Sequence, residues 1–430
     1  MPELGDTLEV DVGPVAHGGF CVARHDGQAV FVRHALPGER VRARVTEVRP
    51  RYLRADAVEV LEASEHRVDA PCQYARPGGC GGCDWQHAAL PYQRELKAAV
   101  VREQLSRLAG LDLDVVVEAV PGSDDGLGWR TRVGFAVRRD GTVGLHRARS
   151  HAIEPIDRCL IAHPGVTELG VERRHWPYIR AVEAVASATT SDRLVAATPV
   201  SRRQPLHPVD LDVPAGFVRD DDKGHMTTLR GPGSVTEHAA GRSWRVSGGG
   251  FWQIHPSSAQ TLVDAVLGQL APAPGESALD LFCGVGLFAG ALAEVVGATG
   301  QVVAVEGDRQ AVLDAEHNLA DLPQVRVSRG RIGTDPTNRW LAGRASVDLV
   351  VLDPPRTGAG PALCRELAAL QPRAISYVAC DPAALARDTA ALAEAGYVLR
   401  ELRSFDLFPM TAHVECVALF TRQVPVGQPA

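Results

Sequence analysis

The sequence predicts an α/β protein: a doubly wound, mostly parallel sheet at the C-terminal end, preceded by a small β-barrel and a β-rich middle. Three observations predict this. From Gly275 onward, apolar strand-like runs alternate with helical ones. Residues 1–62 break into about five short alternating segments between turn dipeptides. Between these two regions, Cys72, Cys80 and Cys83 fall in one glycine- and proline-rich stretch. A chain of 430 residues has room for two or three domains. The boundaries expected are 1–62, 63–250 and 251–430.

Composition narrows the functional class. Apolar residues make up 45% and charged ones 23%, ordinary values for a soluble globular protein. The opening residues MPELGDTLEVDVG carry acids and no apolar core, so no signal peptide is expected. No run approaches the ~18 apolar residues of a membrane span. A cytoplasmic monomer without membrane contact is the expectation. Nine cysteines in such a chain argue against a disulfide framework and for metal ligands, a nucleophile and packing residues. The net charge of −7 means that any nucleic-acid binding must come from local patches.

In the first segment, LEVDVG, QAVFVRHA, ERVRARVTEV and AVEVLE alternate as strands, with Gly13-Pro14, Gly18-Gly19, Asp26-Gly27 and Pro37-Gly38 as turns. Arginines 33, 40, 42, 44, 49, 51 and 54 outnumber Glu39 and Glu47 here, with Tyr52 among them. Arginine-rich strands with an aromatic suit a phosphate backbone and a stacked base, although a solvated strand face would look the same. The order of elements in GFCVARHDGQAVFVRHALPGERVRARV resembles the TRAM domain, an OB-like RNA-binding module.

The C-x7-C-x2-C spacing of Cys72, Cys80 and Cys83 is a metal signal that lacks a fourth ligand nearby; Cys159 in EPIDRCLI is the candidate. Four thiolates suit tetrahedral zinc or an iron–sulfur cluster, and the spacing does not separate the two. PYQRELKAAVVREQLSRLAG then reads as an amphipathic helix stopped by Gly110, and RTRVGFAVRRDGTVGLHRARS as a basic hairpin turning at Asp140-Gly141. The stretch from about 200 to 235, with its DDDK run at 220–223, carries no recognisable chemistry.

In the C-terminal region, SALDLF, QVVAVE, QVRVS, VDLVVLD, AISYVAC, YVLRELRSFD and HVECVALF read as strands. Ligands of such sheets bind at the carboxyl ends of the strands. DLFCGVGLFAG sets Gly284, Gly286 and Gly290 at the first strand-to-helix turn, and Glu306 ends the next strand, where it suits a ribose diol. A lone G-x-G would also serve NAD. G-x-G-x-x-x-G preceded by Asp280 more closely resembles the first motif of class I S-adenosylmethionine methyltransferases, a Rossmann-like fold. LDPPRTG at 352–358 places Asp353 in a rigid turn. In SYVACDPAALARD, Cys380 closes an apolar run at the foot of a helix. That position suits a nucleophilic thiol, although a buried cysteine packing as a small hydrophobe fits it too.

GGFWQIHP, DLFCGVGLFAG, LDPPRTG, SYVACDPAALARD and FPMTAHVECVALF occur in the order seen in RNA 5-methyluridine (uracil-5) methyltransferases. With the TRAM-like start and the four cysteines, the chain resembles over almost its whole length the branch that carries a TRAM domain and an iron–sulfur cluster and acts on 23S rRNA. The resemblance implies S-adenosylmethionine as methyl donor and RNA as substrate, with rRNA preferred and tRNA as the alternative. It implies Cys380 as nucleophile toward uracil C6 and Glu415 as the base that takes the C5 proton. It places Gln253, Phe282, Glu306 and Asp353 at the cofactor, and Cys72, Cys80, Cys83 and Cys159 around a [4Fe–4S] cluster with a structural or RNA-orienting role. Cys21, Cys283, Cys364 and Cys416 are left as packing residues. The chain departs from the common pattern at His255 and Leu287, where members often carry Asn, and mildly at Asp381. An RNA cytosine-5 methyltransferase is disfavoured because Pro354-Pro355-Arg356 lacks that family's Pro-Cys. A non-catalytic RNA-binding factor would lack Cys380, Glu415 or Asp353, and LDPPRTG speaks against an NAD oxidoreductase.

Overall fold

The structure, a computed structural model, describes residues 2–221, 225–333 and 346–423, so the DDDK run lies partly outside the described residues. The first domain holds β1 (Thr7–Asp11), β2 (Cys21–His25), β3 (Gln28–Arg33), β4 (Arg40–Val48) and β5 (Tyr52–Glu62), in the sheet order β1-β4-β5-β3-β2. Alternation gives this sheet one buried face. Val41, Ala43 and Val45 of β4 and Leu53, Ala55 and Ala57 of β5 are buried, while Arg42 and Arg44 on the opposite face reach solvent and Arg54 is largely covered by aromatic rings. Helix α1 (Leu90–Ala109) ends at Gly110 in the left-handed conformation, as expected. The short strand β6 (Val117–Ala119) follows it.

The middle region is a seven-stranded sheet. It contains β7 (Arg132–Val137), β8 (Val143–His146), β9 (Ile153–Pro155), the short helix α2 (Pro164–Thr167), β10 (Ile179–Ala186), β11 (Arg193–Pro199), β12 (Gly216–Asp220) and β13 (Met226–Arg230). The basic hairpin is β7–β8, with Ala136 opposite Gly144. A two-stranded ribbon, β14 (Ser234–Ala239) and β15 (Arg242–Ser247), lies against the last domain, where Asp314 accepts from Ser247 N at 2.9 Å and from Arg245 Nη2 at 3.0 Å.

The last region alternates α3 (Ser258–Leu270), β16 (Ser277–Leu281), α4 (Leu287–Val296), β17 (Gln301–Glu306), α5 (Arg309–Asn318), β18 (Val325–Arg329), β19 (Leu349–Leu352), α6 (Pro361–Ala369), β20 (Ala374–Ala379) and α7 (Pro382–Glu394), and ends in β21 (Tyr397–Asp406) and β22 (Glu415–Arg422). The sheet order is β18-β17-β16-β19-β20-β22-β21-β6, with β22 antiparallel to both of its neighbours. β19 and β20 are buried along their whole length because helices cover both faces. Leu262, Val266 and Leu292 pack on one side of the sheet, and Leu105, Leu363 and Leu385 on the other. The eighth strand is β6, parallel to β21 from Ser404 to Asp406, so both α1 and β6 come to this sheet from a sequence region outside 251–430.

Candidate active site

The carboxyl ends of β16, β17, β19 and β20 meet the start of β22 at one mouth. Ala379 pairs with Cys416, so Cys380 and Glu415 are neighbours across the β20–β22 ladder. Cys380 is half-buried and its thiol is pushed up to about 12, first by burial and then by the charges of Glu415 and Asp353, against a pull from Arg356. Glu415 is held well above the usual carboxylate range by burial and by Asp353. Asp353 rises to about 7 through burial. Three acidic groups thus crowd one buried volume with Arg356 facing them, an arrangement that favours protonation until a cation enters.

Next to this trio lies the glycine-rich turn. Phe251, Gln253, Phe282, Leu287 and Asp353 line one cavity with Gly284. Phe282 has φ +63, a left-handed backbone that a bulky residue holds only when its surroundings demand it. Glu306 accepts from Gly284 N at 3.0 Å and from Asp308 N at 2.8 Å, which fixes its carboxylate beside the turn. Asp280, fully buried, accepts from Ala289 N at 2.8 Å through Oδ2, while Oδ1 has no partner among the described residues. Burial, and then Asp353 and Glu306, push it up to about 8. A cavity walled by Asp353, with the Glu306 carboxylate fixed beside its glycine turn, fits a ligand that brings positive charge and hydroxyl donors, as the sulfonium, ammonium and ribose of S-adenosylmethionine do.

Of the two departures, Leu287 lines this cavity and offers it only an apolar surface. His255 is not among the cavity residues. It is buried, accepts from Ser257 N at 3.2 Å, meets Ser123 Oγ at 3.0 Å and stacks at 6.0 Å on Trp129. Burial lowers its pKa to about 4, so it is a neutral brace between segments. Sequence reasoning missed Arg356 and His413 as individual residues. Arg356 Nη2 donates to His413 Nε2 at 3.2 Å, and burial followed by Arg356 lowers His413 to about 4. The available signal was their place, inside LDPPRTG and two residues before Glu415.

Cys72, Cys80, Cys83 and Cys159 line a single cavity of about 250 Å³ that none of the other five cysteines lines. Gln86 Nε2 donates to Cys83 Sγ at 3.1 Å and Gly82 N to Cys80 Sγ at 3.4 Å. Among the described residues, no three His, Cys, Asp or Glu side chains converge closely enough to hold one metal ion. Cys21, Cys364 and Cys416 are buried; Cys283, expected as a packing residue, is buried too but lines the cavity beside Phe282 and Gly284, and Cys416 meets Ser404 Oγ at 3.3 Å on the other face of its strand. Much of the arginine excess is consumed internally. Arg40 and Arg42 pair with Glu9, Arg49 and Arg54 with Glu47, Arg132 with Glu183 and Arg147 with Glu154. Arg54 lies 4.8, 5.8 and 5.4 Å over the rings of Phe20, Phe31 and Tyr52, which gives the first domain an aromatic–guanidinium surface. No helix among the described residues is long and apolar enough to cross a membrane.

Comparison with known proteins agrees with this geometry. The TRAM domain family matches residues 3–58, the tRNA (uracil-5-)-methyltransferase family residues 340–423, and the protein-L-isoaspartate(D-aspartate) O-methyltransferase family residues 251–338. A 23S rRNA (uracil(1939)-C(5))-methyltransferase of Halomonas elongata is 36% identical, covering 96% of this chain and 89% of the relative. The chain belongs to the RNA uracil-C5 methyltransferase family. An uncharacterized RNA methyltransferase of Streptomyces avermitilis is 52% identical over 97% of the chain and 98% of its own length. The fold matches the crystal structure of Pyrococcus abyssi tRNA (uracil-54, C5)-methyltransferase in complex with S-adenosyl-L-homocysteine, with TM-score 0.70 and 24% identity over 96% of this chain and 99% of that one. The class I methyltransferase fold and the TRAM domain are thereby established.

Proposed function

We propose that this protein transfers a methyl group from S-adenosylmethionine to C5 of a uridine in RNA, with rRNA as the preferred substrate. The observation that carries the reading is the meeting of Cys380, Glu415 and Asp353 at three strand ends beside the Phe282–Gly284 turn. S-adenosylmethionine, when bound, supplies an electrophilic methyl group and a positive charge. Glu306 suits its ribose; Gln253, Phe282 and Asp353 line its pocket. Uracil C5 is a poor nucleophile. Cys380 Sγ adds to C6, the C5–C6 electrons move toward O4, and C5 becomes able to take up the methyl group. Arg356 favours the thiolate at Cys380 and the carboxylate at Glu415. Glu415 then accepts the C5 proton, and elimination releases Cys380 with the double bond restored. In this reading Gln253 and Asp353, which line the same cavity, also contact the uracil edge. The target nucleotide must leave its stack to reach this mouth.

For the cysteine cavity, a [4Fe–4S] cluster held by Cys72, Cys80, Cys83 and Cys159 fits better than zinc. A tetrahedral zinc with Zn–S of about 2.3 Å draws its thiolates within about 4 Å of one another. A cluster instead keeps them apart around a filled volume, as four thiols around one cavity with N–H donors to two sulfurs would. The methyl transfer needs no redox step, so its role is to fix the fold or orient RNA. The ribosomal preference is supported by two relatives, of Shewanella and of Halomonas elongata, that are named as 23S rRNA enzymes.

The test is RNA carrying 5-fluorouridine, whose C5 fluorine cannot leave as a proton. With S-adenosylmethionine it should trap a covalent RNA–protein adduct at Cys380, mapped by mass spectrometry and absent in Cys380→Ala. Nucleoside analysis of a deletion strain should show loss of 5-methyluridine from rRNA. No adduct and unchanged 5-methyluridine in both rRNA and tRNA would overturn the assignment.

A further inference from the structure

The turn between β1 and β2 of the first domain touches both loops that carry the catalytic pair. His17 Nε2 lies 2.9 Å from Asp381 Oδ2, on the residue after Cys380. The other oxygen of Asp381 accepts from Ala384 N at 2.8 Å and caps α7, so the carboxylate is held from both sides and the Cys380–Asp381 peptide with it. Two residues along the turn, Gly19 lies against the loop before Glu415. A Cβ built there would stand 2.6 Å from Ala412 Cβ and 3.4 Å from Asp84 Cβ, at φ +83. Trp85 Nε1 donates to Gly19 O at 3.1 Å, and Ala412 N donates to Asp84 Oδ2 at 3.0 Å, which closes the contact.

We propose that the 16–19 turn is a positioning element of the active site, with His17 as a positioning residue that sets Cys380 against Glu415. This rests on the reading of Cys380 as nucleophile. RNA seated on the first domain is thereby coupled to the geometry of the reacting thiol. The groups facing His17 are Asp381 at the foot of α7, and Glu103 and Arg107 on α1. The hydrogen bond to Asp381 raises the His17 pKa against the effect of burial, and the same contact holds Asp381 below its ordinary value against burial. The sign follows. The charged pair is complete above the depressed Asp381 pKa, and it weakens as pH rises through the raised His17 pKa.

The experiment measures the rate of adduct formation with 5-fluorouridine RNA, and RNA affinity separately, for wild type, His17→Ala, His17→Gln and Gly19→Ala. His17 is 42% exposed on its side chain, so its variants should fold. His17→Ala should lower the adduct rate by roughly tenfold to a hundredfold with RNA affinity nearly unchanged. His17→Gln, which keeps a donor, should recover most of the rate. The wild-type to His17→Gln rate ratio should fall as pH rises through the raised His17 pKa. Gly19→Ala, which forces the turn away from Ala412, should slow the adduct like His17→Ala. If wild type itself forms no adduct, the assignment of Cys380 fails. If wild type reacts and His17→Ala matches it, or loses rate only in proportion to RNA affinity, the positioning role is overturned.

Discussion

Lys97 is the severest test of how the catalytic loop is anchored. Its side chain is 0% exposed, it pairs with Asp406, which is 3% exposed, and it donates to Phe408 O at 3.0 Å. Lys97→Met keeps most of the stem and deletes the charge. Removing one partner of a buried pair strands the other, at a cost of about 3–5 kcal/mol. The lost donation to Phe408 adds about 1 kcal/mol. The expected loss is therefore about 4–6 kcal/mol. At about 2–4 °C per kcal/mol for a large domain, it should lower the calorimetric midpoint by about 8–24 °C. The double variant Lys97→Met with Asp406→Leu removes both charges and should return to within about 1–2 kcal/mol of wild type. A single variant within about 1 kcal/mol of wild type would refute the reasoning, because it would mean that Asp406 reaches solvent without moving the 407–414 loop.

Glu415→Gln should still methylate but fail to release. With ordinary RNA and S-adenosylmethionine it should accumulate a covalent complex on a denaturing gel, with turnover down by about 10²–10⁴. Since burial and two neighbouring acids hold the Cys380 thiol up at about 12, its alkylation by iodoacetamide in the free protein should rise about tenfold per pH unit from about pH 6 to 9; a plateau in that range would contradict it. Gly358→Ala should cost about 1–3 kcal/mol in thermal unfolding and lower turnover, because φ is +81 and its Cβ would stand 2.6 Å from Asp388 Oδ2, in the loop that carries Arg356. Anaerobically purified protein should be brown with broad absorbance near about 400 nm, and Cys159→Ser should lose it; a colourless, zinc-containing protein would exclude the cluster.

What could be read from the chain followed from locality. Apolar runs such as LVVL and AISYVA could be recognised as strands because helices bury both faces, leaving no alternation to confuse the reading. Cys380, Asp353 and Glu306 could be placed because each ends such a run. What escaped depends on contacts between distant segments. VEA at 117–119 has no periodicity, and only its pairing with Ser404–Asp406 makes it a strand. The arginine count of the first domain overstated its free charge, because the β1–β4–β5 register sets Glu9 and Glu59 beside Arg42. Arg356 and His413 meet across separate loops, which no local pattern records.

The pairing of β6 with β21 has a consequence for synthesis. Residues 90–119 leave the ribosome long before the strand they complete, so α1 and β6 must wait without their sheet until the last segments arrive. A pairing this distant in sequence is slow to close. A fragment beginning near residue 251 would expose the edge of β21 at Ser404–Asp406 and leave Asp406 without Lys97. Such an open edge invites pairing between copies. The catalytic half is thus expected to aggregate when expressed alone and to stay soluble when residues 90–119 are supplied, even as a separate peptide.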